Sequence, residues 1–220
     1  MIPSAIDENH VESYYNMWKK TQSIWNYIGQ NHMNTFDWFL LGGDDMYVIV
    51  ENLRYYFYDL ESLIGQETPM YLGRPLRSTF RHVYNNGGAG YLLNRPALEL
   101  LIFSFQQRSC LSSITHSIED VLVGYCLSNL GVFALNTQDD LGRERFHWRP
   151  PHIEYRAIET TYLSPANEKR KGLPVKRGYN SFSPDSIGFQ FESNLFMHCF
   201  NKELYEAPNA SHQMLHRTGV

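Results

Sequence analysis

The chain has 220 residues, of which 43% are hydrophobic and 19% are charged, a composition typical of one globular domain and not of a disordered segment. Its 19 Lys and Arg residues against 23 Asp and Glu give a net charge of −4, which offers no electrostatic reason to expect nucleic acid or an anionic membrane as a partner. No apolar run is long enough to span a bilayer, and the first residues lack the basic and apolar regions of a signal peptide.

Helical periodicity and short apolar runs alternate along the sequence, and the first predicted helix has an apolar face made of Val11, Tyr14, Tyr15, Trp18, Trp25 and Ile28. In chain order they predict a helix over 11–28, a strand over 37–41, a helix over 52–64, strands over 70–73, 82–84 and 91–93, helices over 96–107 and 118–129, strands over 132–135 and 187–191, and a helix over 194–205. This alternation predicts an α/β domain with a largely parallel sheet. The basic stretch 169–177 is interpreted as a solvated loop.

Two adjacent carboxylates, Asp44 and Asp45, follow the predicted strand 37–41 and the glycines Gly42 and Gly43. At the carboxyl end of a strand, such oxygens can hold Mg²⁺ or Mn²⁺ against a diphosphate leaving group. Acids ahead of a helix can instead cap its free N–H groups. On the pair alone the cap is favoured by roughly two to one, because a two-residue motif has many false matches.

A second acidic pair, Glu119 and Asp120, falls in the first turn of the predicted helix 118–129, with Ser117 as its N-cap. One of these acids can serve as a general base, but the helix dipole alone explains their position and is favoured on this evidence. His147 lies between Phe146 and Trp148, where an imidazole is more often packed than metal-bound.

The three cysteines are Cys110, Cys126 and Cys199, and none of them forms a Cys-x-x-Cys pair. This spacing argues against a zinc ribbon or a redox dithiol. One disulfide with one free thiol, and three reduced thiols, both remain open.

Taken in order, these segments resemble the fringe-like β1,3-glycosyltransferases, and within them the core 1 β1,3-galactosyltransferase group. The resemblance runs from about Glu12 to His147, with a weaker match over 183–205. It is carried by the helix Glu12-Ser13-Tyr14-Tyr15-Asn16-Met17-Trp18, the strand Asp37-Trp38-Phe39-Leu40 with Asp44-Asp45-Met46-Tyr47-Val48, the turn Gly87-Gly88-Ala89-Gly90-Tyr91 after Tyr84, Ser117-Ile118-Glu119-Asp120-Val121, and Phe146-His147.

The resemblance implies a GT-A-like (Rossmann-like) fold and a metal-dependent, inverting enzyme. Such an enzyme transfers galactose from UDP-galactose to O3 of GalNAc on Ser or Thr of a glycoprotein. By position, Asp45 and His147 correspond to the Mn²⁺ ligands and Asp120 to the catalytic base. The positions matched to substrate binding are Asp44, Tyr84, Gly87, Gly88, Gly90, Tyr91 and Glu119. Tyr84 and Tyr91 can stack on a sugar ring or belong to the core.

The resemblance also carries expectations about the rest of the protein. It implies a Cys110–Cys126 disulfide with Cys199 free, a membrane-anchored Golgi lumenal enzyme in the full-length family, and homodimers as a known arrangement. The predicted domain covers 1–206, with a basic loop at 165–178, a polar tail at 207–220 and the family's first N-terminal strands lacking.

Two departures from the family pattern are Gly43, in place of the first acid of a triple-Asp motif, and Met46, in place of a threonine. They leave two alternatives beside the galactosyltransferase. One is an inactive relative that acts as a chaperone or partner of an active transferase. The other is a transferase with a different donor or acceptor.

Overall fold

The computed structural model describes residues 13–78, 82–107, 110–156 and 178–206. Most of the basic loop 165–178 and the whole tail 207–220 therefore lie outside the described residues. In chain order the elements are α1 (Met17–His32), β1 (Trp38–Leu41), β2 (Met46–Val48), α2 (Val50–Ile64), β3 (Tyr71–Gly73), β4 (Pro75–Arg77), β5 (Val83–Asn85), β6 (Tyr91–Asn94), α3 (Arg95–Ser104), α4 (Glu119–Ser128), β7 (Phe146–His147), α5 (Pro151–Arg156), β8 (Gly188–Gln190) and α6 (Asn194–Tyr205).

The strands of the described residues form three small sheets. β6 lies between β1 and β3 and is antiparallel to both, and β4 pairs with β5 in an antiparallel hairpin. β8 lies between β2, which is antiparallel to it, and β7, which is parallel. The predicted largely parallel sheet is therefore wrong for this part of the chain, because β6 enters the sheet in the direction opposite to both of its neighbours. The predicted strand 132–135 is also wrong, since these residues make only a single parallel bridge between Ala134 and Tyr71.

The main core lies between α1, α3, α4 and the β1–β6–β3 sheet. Trp18 and Trp25 on α1 are completely buried, as the predicted helix periodicity requires. Tyr14 and Tyr15 were predicted on the same face, but they are 72% and 76% exposed because they precede the α-helix in a short 3-10 turn. Burying an indole is worth several kcal/mol, on the order of 3–5 by truncation to alanine, so these two side chains anchor α1.

The first turns of α3 and α4 show which predicted helix starts are correct. At α3, the Asn94 side chain accepts a hydrogen bond from the Ala97 N–H at 3.2 Å, with Pro96 in the first turn. At α4, the predicted cap by Ser117 is wrong. Ile118 takes the N-cap position without a side-chain hydrogen bond, and the Ser117 and Ile118 N–H groups donate to Nδ1 of His116.

A disulfide joins Cys110, in the segment after α3, to Cys126 on α4. Cys199 on α6 is a free, exposed thiol, so the structure confirms both cysteine expectations. The bridge lies in the main core and ties α4 to the α3 side of the molecule. Among the helices of the described residues, none has the length and hydropathy needed to cross a membrane.

The two faces of the β2–β8–β7 sheet have different neighbours. On one face, Tyr47, Phe189 and Phe191 pack against Phe200 of α6, with ring centroids 5.3 Å to 5.4 Å apart for the three contacts to Phe200. On the other face, Gly188 lies against Ala89 of the turn before β6. Because alternate residues of a strand point to opposite faces, Phe189 and Gln190 belong to different sides of this sheet.

Candidate active site

A glycine turn, residues 86–90, is the centre of the candidate site. The Gly90 N–H donates to the Gly87 carbonyl at 3.0 Å, and Gly90 has φ +72°, a left-handed conformation that suits glycine. The Gly87 N–H donates to Oδ2 of Asp120 at 2.9 Å. A Cβ atom on Gly87 would lie 2.5 Å from Oε1 of Glu119, and one on Gly88 would collide with the Gln190 side chain. The turn is therefore packed between the acids of α4 and strand β8.

The first turn of α4 presents Glu119 and Asp120 to the glycine turn. Asp120 accepts hydrogen bonds from the Gly87 N–H and, at 2.8 Å, from the Val121 N–H. The Tyr91 hydroxyl donates to Oε2 of Glu119 at 3.2 Å and accepts from the Trp25 indole N–H at 3.3 Å. A chain of buried donors thus runs from α1 to the Glu119 carboxyl group.

The environment raises the pKa of both acids. Burial, followed by the nearby Asp120 charge, raises the pKa of Glu119 from 4.5 to about 8. Burial also raises the pKa of Asp120, against the opposing effect of its backbone hydrogen bonds. Both residues keep part of their surface exposed. A buried carboxyl group whose pKa is raised by burial and by an adjacent acid is characteristic of acid–base sites.

The raised pKa of Glu119 predicts a pH-dependent stability. Between about pH 4.5 and about pH 8 the native state holds a proton on Glu119 that the unfolded state has lost, so the free energy of unfolding falls as the pH rises through this window. Glu119→Gln removes this dependence while keeping an acceptor for the Tyr91 hydroxyl. We expect the melting temperature of the variant, relative to the wild type, to increase steadily across the window. Glu67→Gln, at an exposed position, is the control, and its melting temperature relative to the wild type should stay constant across the window. A constant difference for Glu119→Gln as well would contradict the prediction.

Asp44 and Asp45 lie in a tight turn between β1 and β2, here called the Asp turn. A hydrogen bond from the Met46 N–H to the Gly43 carbonyl at 3.2 Å closes it. The helix-cap interpretation favoured for the pair is wrong, because α2 begins only at Val50 and strand β2 intervenes. Asp44 is exposed and Asp45 is half-buried. Oδ2 of Asp45 accepts a hydrogen bond from Nε2 of Gln190 at 2.8 Å.

His147 is completely buried on the α6 side of the β2–β8–β7 sheet. Its ring stacks on Phe189 and on Phe182, at centroid distances of 4.5 Å and 4.7 Å, and the two phenylalanine rings also contact each other at 6.4 Å. Ser186 uses its hydroxyl hydrogen to donate to the Ser183 carbonyl, so its oxygen accepts from Nε2 of His147 at 3.0 Å. This network assigns a hydrogen atom to Nε2 of His147.

These positions decide whether the residues matched to Mn²⁺ fit a metal ion. An imidazole nitrogen and a carboxylate oxygen are suitable donors for Mn²⁺. Asp45, however, bonds to Gln190, and the buried His147 ring packs on Phe182 and Phe189 with its Nε2 bonded to Ser186. Among residues 13–78, 82–107, 110–156 and 178–206, no three His, Cys, Asp or Glu side chains are grouped to hold a metal. Asp45 and His147 therefore do not fit a shared metal ion.

Comparison with known proteins places this arrangement in a family. Residues 8–147 match the family described as Fringe-like. The chain belongs to the Fringe-like family. A glycoprotein-N-acetylgalactosamine 3-beta-galactosyltransferase 1 from Xenopus laevis is 36% identical to the chain over 132 residues, which make up 60% of this chain and 35% of that protein. The Fringe-like chain thus spans 35% of the length of this relative, and the resemblance noted in its motifs is confirmed.

Within this Fringe-like domain the structure brings together part of the predicted site. Glu119 and Asp120 contact the glycine turn, and Gln190 connects that turn to Asp45. Tyr91 is only 1% exposed, so its ring belongs to the core and supports Glu119. Tyr84 is half-buried, with its backbone against α4.

Two residues of the site were not predicted from the sequence. Gln190 is one, because a polar residue between Phe189 and Phe191 is the ordinary alternation of a half-buried strand and gives no sign of its partner. Met46 is the other. A Cβ atom on Gly42, Gly90 or Gly188 would collide with the Met46 side chain. Met46 therefore fills the space between the Asp turn, the glycine turn and β8.

Proposed function

We propose that this Fringe-like chain is an inverting β1,3-glycosyltransferase with a GT-A-like fold, which transfers galactose from UDP-galactose to O3 of GalNAc on Ser or Thr of a glycoprotein. The observation that carries the proposal is the contact of two acids on α4 with the glycine turn, where the Gly87 N–H fixes the Asp120 carboxylate. Family membership and the Xenopus relative support the reaction class, and the name of that relative supports galactose as the transferred sugar and N-acetylgalactosamine as its acceptor.

The proposed chemistry assigns the proton transfer to Asp120. Its carboxylate removes the proton from the acceptor hydroxyl as the new bond from that oxygen to the anomeric carbon forms, while the bond from that carbon to UDP breaks. Burial raises the pKa of Asp120, which makes the carboxylate a stronger base than an exposed one. Glu119, with a pKa of about 8, keeps its proton at neutral pH and spares the site a second negative charge.

A transfer assay on the full chain tests the proposal. The chain is incubated with UDP-galactose and a GalNAc-α-Ser/Thr glycopeptide, with Mn²⁺ in one series and EDTA in another, and the product linkage is read by NMR. The expected product is β1,3-linked galactose. UDP-glucose and UDP-N-acetylglucosamine serve as alternative donors. If a chain whose fold is verified by circular dichroism forms no product, the proposed transferase activity is contradicted.

One observation favours a second candidate, a non-enzymatic partner of an active transferase. Asp45 is engaged by Gln190 and Gly43 carries no carboxylate, so the Asp turn is poorer in metal-ligating groups than a triple-acid motif. A partner would show stable association with a full-length transferase in size-exclusion chromatography together with no turnover of its own. Turnover by the isolated chain would exclude this role as its sole function. For either candidate we propose the Golgi lumen as the compartment, in keeping with the Cys110–Cys126 disulfide.

A further inference from the structure

The Asp turn is fastened to strand β8 at two points. The Phe191 N–H donates to the backbone carbonyl of Asp45 at 2.7 Å, and Nε2 of Gln190 donates to the Asp45 carboxylate at 2.8 Å. The amide of Gln190 also lies against Gly88, where an added Cβ atom would collide with it. Gln190 thus holds three parts of the site in register: the Asp turn, β8 and the glycine turn.

The chemistry of the amide determines what else Asp45 can bind. A divalent cation needs oxygen or nitrogen lone pairs from several sides. The Gln190 group that faces the Asp45 carboxylate is an N–H donor, which presents positive partial charge and no lone pair. The amide therefore satisfies the carboxylate in the way that a cation would, and it opposes a cation at the same oxygen.

The imidazole that would complete a metal site lies elsewhere. His147 pairs in register with Phe189, stacks on its ring and bonds through Nε2 to the Ser186 hydroxyl, whereas Asp45 bonds to Gln190. Moving His147 to Asp45 would require removing a completely buried ring from its contacts with Phe182 and Phe189. Breaking such packing is costly, because the interior has no compensating space.

We propose that the Gln190 amide takes the place of a metal ion at Asp45, and that this chain binds no Mn²⁺ through Asp45 and His147. Gln190 is accordingly a positioning residue, which aligns the Asp turn with the glycine turn without a cation. Metal binding can be measured directly, so the inference is tested independently of whether galactose transfer occurs.

The experiment is a Mn²⁺ titration of the full chain, followed by the electron paramagnetic resonance signal of free Mn²⁺, with and without UDP. The wild type is compared with Asp45→Asn, with Gln190→Glu, and with Gln30→Glu, an exposed position on α1 that receives the same added charge. Gln190→Glu replaces the N–H donor with a second carboxylate facing Asp45. We expect it to bind Mn²⁺ at least about tenfold more tightly than the wild type, because affinity follows the number of charged oxygen ligands.

Two further results complete the test. Gln30→Glu should behave as the wild type does, and adding Asp45→Asn to Gln190→Glu should abolish the new binding. Saturable Mn²⁺ binding or Mn²⁺-dependent UDP binding by the wild type, lost in Asp45→Asn, would overturn the proposal. So would a folded Gln190→Glu that gains no Mn²⁺ affinity. If Gln190→Glu fails to fold, the comparison of wild type with Asp45→Asn decides alone: no saturable binding in the wild type supports the proposal.

Discussion

Asp120→Asn is expected to lower the rate of galactose transfer by about 10²- to 10⁴-fold, the range typical of removing a general base. The amide has no basic oxygen to take the proton of the acceptor hydroxyl. It is otherwise the same size and keeps one oxygen, which can accept from either the Gly87 or the Val121 N–H. The measurement is the initial rate of product formation at saturating UDP-galactose and acceptor.

The control for this substitution is Asp59→Asn, which removes the same charge from an exposed position on α2. It should leave the rate unchanged. Thermal melting of both variants separates a chemical effect from a loss of fold, since the lost hydrogen bond in Asp120→Asn is itself worth about 1–3 kcal/mol. A folded Asp120→Asn that retains the wild-type rate within about a factor of three would show that another group accepts the proton, because general-base catalysis contributes far more than that.

Gly124→Ala is expected to destabilise the protein by about 1–3 kcal/mol and to reduce transfer at the same time. Helix α4 packs against strand β5 through Gly124, where an added Cβ atom would lie 2.8 Å from Cα of Tyr84 and 3.2 Å from the Val83 carbonyl oxygen. These atoms belong to the backbone and cannot swing aside, so the helix must move. Because α4 carries Glu119 and Asp120, its movement also displaces both acids from the glycine turn.

Gly29→Ala in helix α1 is the matched control. Its added methyl group meets Cδ1 of Ile102, the flexible end of a side chain, which can rotate away. Alanine is also the better helix former by about 1 kcal/mol, so this variant should be close to wild type in stability and activity. Urea unfolding of the two variants, read alongside their transfer rates, provides the comparison. Equal stability of Gly124→Ala and Gly29→Ala would show that α4 is not in tight contact with β5.

The helices were largely predictable, because their signals are local. The predicted helix 194–205 matches α6, and 52–64 and 96–107 differ from α2 and α3 by two or three residues at an end. Trp18 and Trp25 were placed correctly on the buried face of α1 by their spacing of seven. Such periodicity reflects which side chains face the core, and it holds regardless of how the strands are arranged.

The sheets and the surroundings of Asp45 and His147 were less predictable, because they depend on pairing between distant segments. Strand β2 has three residues and strand β7 has two, and each is a strand because it pairs with β8. Strand β8 is about 140 residues from β2 and about 40 from β7 in the sequence. The same strand decides which face each residue occupies. A sequence places Asp45 and His147 in order, but only the pairing with β8 brings Asp45 to Gln190 and His147 to Phe189.

The Cys110–Cys126 bridge makes the assembly of the acidic pair depend on its chemical surroundings. The bridge fastens α4 seven residues after Glu119. In a reducing cytosol the tether cannot persist, and α4 would be held by packing alone. Recombinant chain made in a reducing cytosol and chain made in an oxidising host should therefore be treated as different preparations, to be distinguished by thiol titration before either one is assayed.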